Sequence, residues 1–475
     1  MVIVGRRASS WRRAVGASAR RSVVRALAAV AALAGLAVIA AADTLPDALA
    51  RAYSGNPTLA ANRAGLRATD ENVPRALAGF RPTVAASASA GASQVASRGL
   101  PAGNERTSLF PRQVGLQASQ NLFDGFRTTN LVRQAESEVL SGRETLRQVE
   151  QDTLFAGAQA YMDVLRDTAV LDLQRNNEEV LVEQASQTRE RNVAGQVTRT
   201  DVAQAEARLA AARSQVSLAG ANLQASVATY RRVIGVEPRR LAPGRPPDRL
   251  VPATLVAAVR TALATHPAVR SALHAVDVAE LQVKVVEGEL APRVDLVGSV
   301  GQAYAAETPR DRTFSVALLG QVTVPLYEGG EVYARVRQVK ETAGQRRIEA
   351  EATRDAVRAA VVVSWGSLES AKANALAAAA QVRANEVALA GVREEARVGQ
   401  RTTLDVLNQQ QELLIARVNL VTAQRDRVVG AYAVAQSTGS LSPEALGLTV
   451  ARYSPGRHYE QVRDLPWGLR TPDGR

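Results

Sequence analysis

The spacing of apolar positions changes period along the chain, and the same changes come twice. From about Leu45 to Gly79 the spacing is helical, until Pro82 blocks continuation and pushes the residue before it toward extended backbone. Alternation follows. In Thr83–Val95, one face carries Val84, Ala86, Ala88, Ala90 and Ala92, and the other carries Ser87, Ser89, Gly91 and Ser93. After a polar, Gly-rich stretch, Gln113–Leu122 alternates again, with Val114, Leu116, Ala118 and Leu122 opposed to Gln113, Gly115, Gln117, Ser119 and Asn121. Helical spacing then runs without proline from about Arg127 to Asn192, roughly 100 Å at the α-helical rise. A further helix over 198–232 carries Ala205, Leu209, Ala212, Val216, Ala219 and Leu223 at three-four spacing, and is about half as long.

The order helix, strand, strand, helix, helix recurs in the second half: 253–290, Val294–Ala303, Phe314–Val324, Glu331–Val398 and 402–437. Landmarks recur with it. Asn56-Pro57 returns as His266-Pro267 and Pro82 as Pro292, both offset by 210. Leu122-Phe123-Asp124-Gly125 returns as Leu326-Tyr327-Glu328-Gly329, and Gly195-Gln196 with Asp201-Val202 returns as Gly399-Gln400 with Asp405-Val406, both offset by 204. A period this long means two copies of one structural unit rather than a solenoid. The sequence therefore divides into a first unit, 43–235, a Pro/Arg-rich linker, 236–252, a second unit, 253–440, and a tail, 441–475, without clear period. Two states are open to the tail: packed about the middle of the molecule, or without fixed structure.

Each alternating segment has the ~9–11 residues of a tilted membrane strand. Five of the six phenylalanines (Phe80, Phe110, Phe123, Phe126 and Phe314) flank these segments, as do Tyr304, Tyr327 and Tyr333. Aromatics at strand ends are the girdles of membrane barrels. Four strands cannot close a barrel, and an open edge in hydrocarbon leaves unpaired backbone groups costing several kcal/mol each. Sister chains must complete it; two would give eight strands and three would give twelve.

Residues 1–42 change the reading of charge. They hold seven arginines and no acid, lead into an apolar run from Ala26 to Ala42, and end in Ala40-Ala41-Ala42 before Asp43. This is the form of a secretory signal peptide. Removing those seven charges from the net +12 leaves +5, so the basic balance is a targeting feature and does not point to nucleic acid. With no cysteine there is no disulfide, thiol nucleophile or lipidated cysteine. The three histidines, His266, His274 and His458, have no metal-ligand spacing and are expected on solvated helix surfaces. No nucleotide-binding or hydrolase motif occurs, so neither an enzyme nor a bound cofactor or metal is expected.

The duplicated unit, the strand-to-helix junctions Leu122-Phe-Asp-Gly and Pro325-Leu-Tyr-Glu-Gly-Gly, and the helix-turn-helix tips at 193–202 and 398–407 together resemble the TolC family of outer-membrane factors. The resemblance covers about 44–440. It implies an α+β membrane protein: a homotrimer whose twelve-stranded β-barrel, four strands per chain, continues into a long periplasmic α-helical barrel. It also implies a site in outer-membrane lipid, a periplasmic adaptor (membrane fusion) protein, an inner-membrane ABC or other transporter, and an exported polypeptide. The periplasmic tips of the family form a gated entrance. By position, Thr200, Asp201, Arg401 and Asp405 fall on gate residues, with Asp405 contributing to a ring of three carboxylates in the trimer. Asn408 stands where a second entrance acid would be, so the ring carries less charge, and Ala396 stands where a tyrosine that ties the gate would be. Asp201 and Asp405 are also placed to cap helices or to lie in a first turn beside the helix dipole.

The function so implied is the outer-membrane duct of a type I secretion system, with a toxin as candidate cargo. The absence of a lipidated cysteine weighs against the alternative, drug efflux. A rival of another class, a soluble periplasmic coiled-coil scaffold, explains the helices and the leader but leaves the paired strands unexplained.

Overall fold

The computed structural model describes residues 43–99, 103–308 and 310–474. The expected signal peptide lies outside them. The first unit opens with three helices in file, α1 (Leu45–Gly55), α2 (Pro57–Asp70) and α3 (Asn72–Leu77), where the sequence suggested one. The break after Gly55 has a local cause. Asn56 is extended, its side chain accepts from Thr58 N at 2.9 Å and Leu59 N at 3.2 Å, and Pro57 starts the next helix without needing a partner for its nitrogen. The second unit repeats the device between α6 (Leu255–Thr265) and α7 (Pro267–Glu287), with His266 Nδ1 accepting from Ala268 N at 3.2 Å.

Strands β1 (Thr83–Ala90), β4 (Arg112–Phe123), β5 (Arg293–Tyr304) and β6 (Arg312–Thr323) form one antiparallel sheet in the order β1-β4-β5-β6. Between β1 and β4 the chain makes a second, two-stranded sheet from β2 (Ser93–Gly99) and β3 (Gly103–Leu109). Alternation in the sequence predicts a first strand that runs on to Val95. The chain instead leaves the sheet after Ala90 and builds a separate hairpin.

Register assigns the two faces of the four-stranded sheet. Val84, Ala86 and Ala88 oppose Ala118, Leu116 and Val114, while Leu116 opposes Val300 and Val300 opposes Val316. Val114, Leu116, Val316 and Leu318 are more than half exposed, so this apolar face is bare. The other face carries Ser87, Gln117, Ser299 and Gln321, and there Asn121 donates to Asp295 at 3.1 Å. One apolar face and one wet face suit lipid outside and water inside.

Each strand-to-helix junction turns through two consecutive left-handed residues. Gly329 and Gly330 serve in the second unit, Gly125 and Phe126 in the first. From these junctions descend α4 (Arg127–Val193) and α8 (Glu331–Arg397), 67 residues each, roughly 100 Å long. They return through α5 (Arg199–Ile234) and α9 (Thr403–Ser437), about half that length. α4 packs on α5 below and α7 above; α8 packs on α9 below and on α6 and α7 above.

The main core lies midway along the molecule, where Leu49, Tyr161, Tyr230, Tyr432 and Leu441 meet. The linker is anchored there. Asp43 N donates to Arg240 O at 2.9 Å, and the buried Tyr161 hydroxyl lies 2.7 Å from the carbonyl of Asp43 and 2.6 Å from that of Ala242. One face of α8 is left bare: Ile348, Val363, Leu376 and Val387 are each about two-thirds exposed or more. The tail is packed. It leaves the core at Leu441, forms a short helix, α10 (Pro455–Val462), and runs on beyond it.

Candidate functional site

The two helical hairpin tips are built by one local recipe. α4 ends with Gly195 at φ 74°, where Gly195 N bonds Asn192 O and Gln196 N bonds Arg191 O. α8 ends the same way, with Gly399 at φ 81° and Gln400 N bonded to Glu395 O. Such a left-handed glycine satisfies the last carbonyls of a helix while the chain reverses. Three residues after each glycine, Thr198 and Thr402 cap the returning helices. Thr198 Oγ1 accepts from Asp201 N at 3.2 Å, and Asp201 Oδ2 accepts from Thr198 N at 2.8 Å and Oγ1 at 2.7 Å. Thr402 and Asp405 repeat this at 3.1, 3.0 and 2.8 Å.

The first pair of expected gate acids are thus reciprocal helix caps. Both residues are half-buried, and both carboxyls titrate below the ordinary range. For Asp201 the main cause is the Thr198 hydroxyl donating to it; for Asp405 it is the Thr402 backbone N–H. Thr200 is exposed on the first turn of α5. Within one chain Arg401 does not reach Asp201; its Nε donates to Glu395 Oε2 at 2.9 Å across its own tip. Asn408 accepts from Arg208 Nη2 at 2.9 Å, and so joins the second hairpin to the first. Ala396 is partly buried among Val382, Leu389 and Val406.

Four features of the tips were missed from sequence. Thr198 and Thr402 hold the acids, and the Thr-x-x-Asp spacing just before each helix signals them. Arg208 and Leu407 tie the hairpins together, and Leu407 is buried in the groove between α4 and α5 against Leu181, Ala185, Ala205, Leu209 and Ala212. Nothing local marks that cross-hairpin role. The histidines also differ from expectation. His266 and His458 are buried, the first as a helix cap and the second 3.0 Å from Asp70. Among the described residues no group of side chains could hold a metal ion, and no helix is long and apolar enough to cross a membrane.

A family model for outer membrane efflux proteins matches residues 48–236 and 258–440, most of the chain. The chain belongs to the outer membrane efflux protein family. The outer membrane efflux protein BepC of Brucella suis is 40% identical over 437 residues, covering 92% of this chain and 94% of BepC. The alkaline protease secretion protein AprF of Pseudomonas aeruginosa is 28% identical over 222 residues, 45% of each chain. Among solved structures, the outer membrane channel CmeC of Campylobacter jejuni superposes with a TM-score of 0.75 at 15% identity, covering 88% of this chain and 89% of CmeC.

Members of the family form trimeric channels that work with an adaptor and an inner-membrane transporter. The bare features of one chain follow. Its four-stranded sheet, free at β1 and β6, is one third of a closed twelve-stranded barrel in the outer membrane. The helices continue the channel as an α-helical barrel that extends into the periplasm. The soluble scaffold is thereby set aside.

Proposed function

We propose that this outer-membrane channel is the exit duct of a type I secretion system, passing an unfolded polypeptide to the exterior in one step. The supporting observation is the manner in which the entrance is held. Apart from the Leu407 contact, the two tips are tied by one exposed polar pair, Arg208 with Asn408, while Arg189 with Glu206 and Arg401 with Glu395 each lie within a single hairpin. Exposed pairs of this kind contribute only ~0–1 kcal/mol each, so the tips can part widely at low cost. The similarity to a protease secretion protein is in keeping with a polypeptide cargo. Small-molecule efflux is the second reading, favoured by the 40% identity to a protein named for efflux.

In the proposed entrance, Asp405 of three protomers forms a carboxylate ring that favours cations. Thr200, Asp201 and Arg401 lie at the contact between neighbouring tips, and Asn408 sets the second hairpin against the first. The division of the chain into a leader (1–42), two units (43–235 and 253–440), a linker and a tail belongs to the same proposal. The partners are an adaptor and an inner-membrane ABC or other transporter. Deleting the gene in its host decides the cargo. Loss of a polypeptide from the culture medium, with dye and detergent tolerance unchanged, is the result expected. Intact secretion with sharply lowered tolerance would transfer the channel to efflux.

A further inference from the structure

The tail, 441–475, lies beyond the last residue matched by the family model. Its packing has a direction. Tyr453 N meets the Tyr53 hydroxyl at 3.5 Å, and the Tyr453 ring lies 5.2 Å from the Arg63 guanidinium, which also stacks on Tyr53 at 4.5 Å. His458 pairs with Asp70 at 3.0 Å. Tyr459 packs with Val73 and Leu77, and Arg463 reaches Glu136 at 3.8 Å. Arg81 then donates to the carbonyls of Asp464 at 3.3 Å and Leu465 at 3.2 Å. The partners ascend from residue 53 to residue 81, so the tail climbs parallel to α1–α3 and arrives at the base of the barrel, two residues before β1 begins.

It also arrives on the outside. The carbonyl of Phe80 accepts from the Gln120 side chain at 2.9 Å. Gln120 shares its side of β4 with Val114, Leu116 and Ala118, the lipid-facing row. Phe80 itself is half exposed there. Beyond Leu465 come Pro466, Trp467, Gly468, Leu469 and Arg470. Trp467 is 85% exposed and Leu469 wholly exposed, with Leu465 about half exposed just before them, whereas Leu441, Leu448 and Val462 earlier in the tail are buried. Four residues of extended chain reach roughly 13 Å, enough to carry both side chains from the rim into the level of the headgroups.

We propose that Leu465–Arg470 is an interfacial anchor that inserts Trp467 and Leu469 into the phospholipid leaflet on the periplasmic side of the outer membrane. The apolar side chains continue the lipid face of the barrel at its lower edge. Trp has the amphipathic ring that settles at a membrane interface. Arg470 has no carboxylate partner among the described residues, and Arg81, which donates to the carbonyls of Asp464 and Leu465, lies at the same rim, so anionic phospholipid headgroups complement the segment. The anchor fastens the tail, and with it α2 and α4, to the membrane from outside the tunnel.

The chain has three tryptophans, Trp11, Trp365 and Trp467, so Trp11→Phe with Trp365→Phe leaves Trp467 as sole reporter. The purified trimer is placed in nanodiscs of phosphatidylglycerol with phosphatidylcholine, either plain or brominated near the carbonyl end of the acyl chains. Insertion gives blue-shifted emission, at least two-fold quenching by the brominated lipid, and protection from aqueous iodide. Emission typical of indole in water, quenched by iodide and indifferent to bromine, overturns the proposal. Blue-shifted emission quenched by neither reagent overturns it too, since the ring would then be buried against protein.

Discussion

Leu407 is an apolar tie between the two hairpins of one chain close to their tips, and shortening it tests how the entrance is held. The side chain is 4% exposed and sits against five residues of α4 and α5. Leu→Ala in a packed core costs ~2–5 kcal/mol. Three of the five neighbours are alanines and the site is one layer thick, which places Leu407→Ala near the lower end. About 2 kcal/mol is a roughly thirty-fold shift, per protomer, toward the parted state. The purified trimer in a planar bilayer should show larger and more frequent high-conductance events. Arg208→Ala removes only an exposed hydrogen bond to Asn408, worth under ~1 kcal/mol, and should change conductance far less. Equal conductance in wild type and Leu407→Ala, with the trimer intact, would refute the reasoning, as would a larger effect from Arg208→Ala.

Other substitutions probe the caps, the barrel base and the tail. Thr402→Val should cost about 1 kcal/mol through loss of the cap, seen as faster amide exchange in the first turn of α9 with the rest unchanged. Asp405→Asn should lower the preference of the pore for cations, read as a shift in reversal potential under a salt gradient. Gly125→Ala places a Cβ 2.4 Å from Ala291 Cβ and 2.6 Å from Gly288 O at φ +67°, whereas Gly329→Ala at φ +68° meets nothing. The second should cost only ~1–2 kcal/mol for left-handed backbone and the first clearly more, measured as the two drops in melting temperature. Burial raises the Asp70 carboxyl above its usual 3.8; a raised acid favours folding when protonated, and that contribution is lost as pH climbs through the raised value. Asp70→Asn keeps an acceptor for His458 without the charge, so its melting temperature relative to wild type should rise across that window. A difference independent of pH would remove the assignment.

Periodicity made most of the fold legible because most of the fold is periodic. The four barrel strands lie between water and lipid, and that contrast writes alternation into Val84–Ala88 and Phe314–Leu318. The paired motifs were legible because the unit is used twice, so Asn56-Pro57 and His266-Pro267 report the same break. The β2–β3 hairpin was not legible. Its pairs, such as Gln94 with Ser108 and Ala96 with Arg106, include no apolar row, and a strand without a buried face carries no period-two signal. The tail was not legible for another reason. Tyr453 and His458 are held by Arg63 and Asp70, nearly four hundred residues away, and contacts of that range leave no mark on local spacing. The same holds for His458, which sequence alone places at the surface.

The proposed entrance asks one side chain to serve two ends, and the structure shows how both are met. Asp405 Oδ2 accepts both bonds from Thr402, while the residue as a whole is only half-buried at the tip. Those donors hold the carboxyl below its ordinary range, so the bonds that make the cap are also the ones that favour the charged form. Cap and charge therefore come together in the wild type, and no pH change separates them until both are lost. Substitution does separate them. Asn at 405 retains an oxygen that can accept from Thr402 but removes the charge; Val at 402 removes the donor hydroxyl and leaves the carboxylate. If the closed entrance is held by the folded tips, Thr402→Val loosens it and Asp405→Asn does not. If it is the charge that selects ions, the order of the two variants reverses in the selectivity measurement. A single residue role would make the two variants move together in both assays.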